Sequence, residues 1–283
     1  MDLFEFWLWP LLAIVLLPGL LVYFGLHVVE RGIIFVDLAL AQIAALGVCV
    51  AIVIGEHSGG DPPTYLMSLL FTLFGAALFS WTRFRHTRVP QEAIIGIIYV
   101  VAAAAATVVL SRTGEGDEAL KGLLLGNILL VSKVEVLGTF TLYAIIALIH
   151  YLLRGRFLMI TFREEEARRL GVRLRLWDFV FYATFGLVVT SFVQIMGVYL
   201  VFSYLIVPAV CGAILSERVL TRLIIGWAVA LVTGVAGLLM SVESETLDLP
   251  TGPTIVCLFG VTLLLCGGLA WKKTRDQAQP GAA

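Results

Sequence analysis

Charge is what this chain has least of. Asp, Glu, Lys and Arg make up 14% of it and hydrophobic residues 60%, with a mean hydropathy of +1.00, against the roughly 25% charge of a soluble domain. That balance excludes a water-soluble globular enzyme and a solvated disordered chain. Cysteine is scarce too. Cys49, Cys211, Cys257 and Cys266 all fall within apolar runs with no CxxC pair, so a disulfide framework is excluded and each thiol reads as a small buried hydrophobe. There is no HExxH and no His-rich tract, and His27, His57, His86 and His150 lie near the ends of apolar runs without clustering. No G-x-x-x-x-G-K-[ST] occurs, so no P-loop binds ATP phosphates and any hydrolysis belongs to a partner. The chain is therefore expected to be no enzyme, to bind no cofactor of its own and, lacking a basic tract, to bind no nucleic acid. MDLFEFWLWPLL has neither a basic n-region nor a small-residue cleavage site, so the first apolar run is expected to stay as a helix.

Long hydrophobic runs are what is present. A bilayer core of roughly 30 Å takes about 20 helical residues, and runs of that length fall at 9–27, 36–54, 65–82, 92–111, 136–153, 177–194, 197–215, 222–240 and 254–271. The expected fold is an all-α polytopic bundle of eight or nine crossings over residues 1–275, surrounded by lipid, with a disordered tail at 276–283. A hydrophobic piece at 120–131 is too short to span and is expected to re-enter or ride on its neighbours. One side of this topology collects Arg31, Arg83, Arg85, Arg88, seven arginines from Arg154 to Arg175, Arg218, Arg222, Lys272, Lys273 and Arg275. The other has Arg112, Lys121 and Lys133 among many acids. The positive excess marks the cytoplasm, which puts the N-terminus outside, the C-terminus inside and the chain in the inner (cytoplasmic) membrane.

One stretch, TFREEEARRLGVRLR (161–175), is strongly charged. Thr161 with Glu164 reads as a capping box. Glu164–Arg168 and Glu165–Arg169 are acid-first i,i+4 pairs, and Gly171 can close the helix. A helix so short is marginal in water, so it is expected to pack on the bundle or on another protein; a solvated loop is the alternative.

Five segments, in order, resemble the permease family of bacterial zinc, manganese and iron ABC importers: ERGIIF (30–35), LLLGNILLV (123–131), FREEEARRLGV (162–172), QIMGVYLVFSYLIVPAV (194–210) and LDLPTGPTIV (247–256). The resemblance implies a subunit of an ATP-driven importer of a divalent transition metal. A second permease copy, a cytoplasmic ABC ATPase dimer and an extracytoplasmic metal-binding protein would be its partners, with ATP on the ATPase. It implies a coupling helix at 162–171, with Thr161, Arg163, Glu164, Glu165, Glu166, Ala167, Arg168 and Gly171 at the ATPase; Arg163 stands where the family usually has Asp. An ABC permease for a chelated metal, siderophore or vitamin is the alternative. An ion-coupled secondary transporter is the weaker one, because the spans hold so few charges.

Substrate chemistry is thinly marked. The family's second helix commonly carries an Asp and, four residues on, a His; the matching positions here are Leu38 and Gln42. Asp37 lies one residue earlier, roughly 140° around the helix from Gln42. Three readings of Asp37 are open: a displaced ligand of the metal path, a salt-bridge partner of Arg31, or a residue at the dimer seam. Gln42, Ser203 and Tyr204 are further path candidates, and Pro208 is a candidate kink or gate. His57 with Glu56 and Asp61, in an outer loop, reads as a contact for an arriving metal or as a solvated acidic loop. Glu243, Glu245 and Asp248, with no cation among them, form a candidate docking surface for the binding protein. Gly122/Gly126 and Gly226/Ala230/Gly234 have the spacing that lets membrane helices approach closely.

Overall fold

The computed structural model describes residues 3–55, 62–82, 90–111, 122, 124–126, 128–243 and 249–278, and among them no strand forms. The helices are α1 (Leu3–Leu16), α2 (Pro18–Arg31), α3 (Val36–Ile54), α4 (Pro62–Trp81), α5 (Gln91–Leu110), α6 (Lys133–Leu152), α7 (Arg154–Phe162), α8 (Glu164–Arg169), α9 (Leu174–Leu215), α10 (Val219–Glu243) and α11 (Thr251–Ala278). Among the described residues eight runs are long and apolar enough to cross a membrane, with α1 and α2 together supplying the first, Trp7–Arg31. Pro18, at the first position of α2, starts the new helix after Leu17, as a residue with no N–H to offer can. The last helix runs past Arg275 to Ala278, and 279–283 lie outside the described residues.

The 42 residues of α9 would measure about 63 Å if straight, twice the hydrocarbon thickness. They instead form two arms. Gly197 has φ 78° and ψ 164° inside the run, a region essentially closed to residues with a Cβ, and the rings of Phe192 and Tyr204 meet at 5.9 Å where a continuous helix would hold them about 18 Å apart. Both ends of the hairpin reach the end of α2. Arg31 pairs with Asp178 at the start of the first arm, while Glu30 pairs with Arg222, whose Nε donates to the Ser216 carbonyl at the end of the second. The described residues thus make nine passes, with the break at Gly197 and not at Pro208, around which the helix continues. The two apolar runs expected as separate spans, 177–194 and 197–215, are the two arms, joined directly at Gly197.

The turn at Gly197 is capped from the far face by the short segment before α6. Gly126 (φ 62°) lies so close that a Cβ on it would overlap the backbone of Met196, and one on Gly197 would overlap Gly126. A 3-10 turn follows at Ile128–Leu130, so this segment rides on its neighbours as its length requires. Its GxxxG is not a helix-packing stripe: Gly122 has open space around it and Gly126 serves backbone contact in a turn. The other small-residue stripe does pack helices. Gly226 faces Val22 and the Pro208 carbonyl, Ala230 is buried, and Gly234 lies against the Tyr204 hydroxyl, which brings α10 onto the second arm as small residues allow.

The hairpin, α2 and α3 hold most of the core, while α5, α6 and α11 leave broad apolar faces open. Hydroxyl pairs stitch the centre: Thr72 and Thr190 meet at 2.8 Å, Ser68 donates to the Ala44 carbonyl at 3.0 Å, and Tyr143 donates to the Val188 carbonyl at 2.9 Å. In lipid such bonds contribute about 0.6 to 1.7 kcal/mol each, since apolar burial no longer drives association.

Candidate coupling and substrate-path sites

The charged stretch forms a helical elbow on one face of the bundle. After α6, α7 runs to Phe162; the chain bends at Arg163 (φ −139°, ψ 51°) and restarts as α8. The expected single helix at 162–171 is thus two short ones. Thr161 is not a cap: it sits in the last turn of α7, and Arg163 occupies the N-cap with no side-chain bond. A full capping box exists elsewhere, between Ser132 and Glu135 at the start of α6. The C-terminal expectation holds. Gly171 (φ 70°) donates to the Arg168 carbonyl and Val172 to that of Ala167, the paired bonds of a Schellman closure. Ala167 is buried, anchoring α8 to the bundle. Glu164 pairs with Arg168, and Glu166 pairs with Arg163 at 3.5 Å on the exposed side. Among the described ion pairs Glu165 and Arg169 do not meet.

Thr161 has a different task. Its Oγ1 accepts from Arg31 Nε at 2.9 Å and lies 2.7 Å from His27 Nδ1, in a hydrogen bond whose donor is set by the imidazole tautomer. Arg31 Nη1 donates to Asp178 Oδ1 at 3.1 Å, with both side chains almost wholly buried, and the guanidinium lies 4.0 Å over the Phe181 ring. The elbow is therefore wired through one arginine to the end of α2 and the start of α9. Alongside, Tyr23 Oη meets His150 Nδ1 at 3.1 Å, His150 Nε2 meets Thr184 Oγ1 at 2.8 Å, and Phe157 stacks on His150 at 4.1 Å. His27 and His150, scattered in sequence, thus share one aromatic cluster around Tyr23. Sequence reasoning missed Asp178 altogether, although a carboxylate at the margin of an apolar run is itself a signal.

Asp37 stands in the first turn of α3, 1% exposed, and neither carboxylate oxygen has a hydrogen-bond partner. Arg31 is taken by Asp178, so of the three readings of Asp37 the bridge to Arg31 does not form. Gln42 is buried one to two turns further along α3. Ser203 donates to the Tyr199 carbonyl at 2.9 Å, and Tyr204 packs between Phe192 and Phe259 with its hydroxyl buried and without a hydrogen-bond partner. Pro208 is buried against Gly226. Among the described residues no three His, Cys, Asp or Glu side chains converge to hold a metal ion. Glu243 ends α10; Glu245, Asp248, His57, Glu56 and Asp61 lie outside the described residues.

A bundle of long apolar helices with a charged helical elbow bonded into its core is the architecture of a multi-pass membrane protein. The chain belongs to the ABC 3 transport family, whose profile matches residues 3–269. It is 29% identical over 240 residues to a probable metal transport system membrane protein of Thermotoga maritima, covering 84% of this chain and 80% of that one. It is 24% identical to the manganese transport system membrane protein MntC of Halalkalibacterium halodurans, over 82% and 76%, and 28% identical to the chelated iron transport system membrane protein YfeD of Yersinia pestis, over 68% and 65%. The fold matches that of PsaBC from Streptococcus pneumoniae, solved in complex with Fab, with a TM-score of 0.76 at 19% identity over 94% of this chain and 92% of that one.

Proposed function

We propose that this chain is the permease of an ATP-driven importer that moves a divalent transition metal, zinc, manganese or iron, into the cytoplasm. The observation that carries the reading is the elbow. A chain of this family with no P-loop must receive its driving force from outside, and α7–α8 is the one charged helical projection bonded directly to buried spans among the described residues. The elbow's face carries the arginines and is the cytoplasmic one, so the N-terminus lies outside and the C-terminus inside. An ATPase dimer grips α8 through Glu164, Glu165, Glu166 and Arg168; its closure moves Thr161, which pulls Arg31 and with it α2 and the first arm of α9. Two permease copies enclose the path. Asp37 supplies a carboxylate to the passing cation, whose charge satisfies the two oxygens that the protein leaves bare. A binding protein delivers the metal at the opposite face, against the acidic stretch of Glu243, Glu245 and Asp248.

Names of the relatives, which include metal, manganese and chelated iron transport, support the substrate class. One observation favours a second reading, an ABC permease for a chelated metal, siderophore or vitamin: Leu38 and Gln42 stand where the family has ligands. ATP-driven uptake of zinc, manganese and ferrous iron into vesicles holding permease, ATPase and binding protein tests both. Free-metal uptake that disappears when Glu164, Glu165 and Glu166 become Lys, with the bundle still folded, is expected. Uptake only of chelated metal selects the second reading, and full ATP-dependent uptake by the triple variant refutes the coupling role of α8.

A further inference from the structure

A cleft of about 620 Å³ lies between α2, α6, α7 and α10 at the elbow end of the bundle. It follows α2 from Gly19 to His27, a depth of about 12 Å along the helix. Its walls are mainly apolar, Leu20, Leu26, Ala147 and Leu223 among them. Tyr23, His27 and His150, the polar side chains at its floor, are bonded to His150, Thr161 and Thr184 respectively, so they are held by the protein and leave the cavity's chemistry to shape. The mouth is different. Tyr151 is 61% and Leu220 70% exposed, and Arg154 lays its guanidinium 4.6 Å over the Tyr151 ring. An exposed aromatic with a cation stacked on it, where α6 ends and a charged segment begins, marks the level of the lipid headgroups.

An apolar cleft of this volume, open to a bilayer, has no reason to hold water, which needs two to four polar partners per molecule. Its size falls within the range of built ligand sites. We propose that it holds one acyl chain of an anionic phospholipid, with the phosphate on Arg154. The occupant follows from charge as well as shape: the cleft is apolar inside, its one lining cation stands at the mouth, and the elbow's face is rich in arginine, as a surface facing the anionic leaflet is. The tail wedges between the first span and α7, one helical turn from Thr161, so the lipid braces the elbow from behind. This goes beyond the metal-importer reading and needs only that the chain spans a membrane.

The test is native mass spectrometry of the purified full chain from nanodiscs of equal parts phosphatidylglycerol and phosphatidylcholine. Wild type is expected to retain one phosphatidylglycerol per protomer. Arg154→Gln should cut that preference about fivefold, the effect of one cation near an anionic surface. Ala147→Trp should abolish retention by filling the cleft, and Leu220→Trp, at an exposed mouth position where misfolding is not at issue, should weaken it. Equal retention of both lipids by wild type, or retention unchanged in all three variants, overturns the proposal. So does a dimer that carries no lipid and falls apart with Leu220→Trp, which assigns the cleft to a second copy. Lipid retention is read without ATP or metal, so its failure and that of the transport reading are separable.

Discussion

Two buried aspartates of this molecule have opposite surroundings. Asp178, fully buried at the start of α9, accepts from Arg31, which also holds Thr161 of the elbow and covers Phe181. Asp37, equally buried at the start of α3, has no side-chain partner for either oxygen and faces only the backbone N–H groups of that helix's first turn. A buried charge left alone is costly, and structure-building acids are paired to avoid that cost. The difference teaches that the first carboxylate is there for the architecture, as the pin joining elbow to bundle, while the second has no such structural task, which is why the proposed function gives it to the cargo.

The contrast can be broken by substitution, and the largest effect is expected at the pin. Asp178→Ala leaves Arg31 buried without its counter-ion and should lose about 3–5 kcal/mol, read as a lowered unfolding temperature in detergent; a small change would demote the pair to an incidental contact. Gly197→Ala, a charge-free control, forces a Cβ into a backbone region open only to glycine and against Gly126, and should cost about 1–3 kcal/mol or more through strain. Thr161→Val removes one hydroxyl from Arg31 and His27 and should cost about 1 kcal/mol. Its effect on ATP-driven uptake should exceed its effect on stability, whereas a parallel fall in both would make Thr161 merely structural. Asp37→Asn should leave stability unchanged or raise it, because a lone buried acid exchanged for a neutral isostere removes a penalty.

Most of the bundle was legible in the sequence because each span is a local, continuous apolar run. Two features were displaced for physical reasons. The hairpin at Gly197 reads as two spans, since hydropathy dips there, yet nothing local says that the helix resumes at once in reverse. Thr161 has a capping-box spacing to Glu164, but tertiary partners claimed its hydroxyl. The pin itself was invisible: Arg31 lies 130 residues from Thr161 and 147 from Asp178, and such pairing leaves no periodic trace. His27 and His150 looked unclustered for the same reason. Gly171, Ala167 and the Glu164–Arg168 pair were legible because helix closure and i,i+4 pairing are short-range rules. Asp37 was visible as an acid in a span, but its isolation could be read only once Arg31 was found bound elsewhere.

The most direct measurement pairs transport with stability in one variant: ATP-driven uptake of zinc, manganese and ferrous iron by vesicles holding Asp37→Asn permease, ATPase and binding protein, beside the unfolding temperature of the same preparation. Uptake lost while the unfolding temperature holds or rises is the result expected of a carboxylate kept for the cargo. Uptake at the wild-type rate would contradict that role.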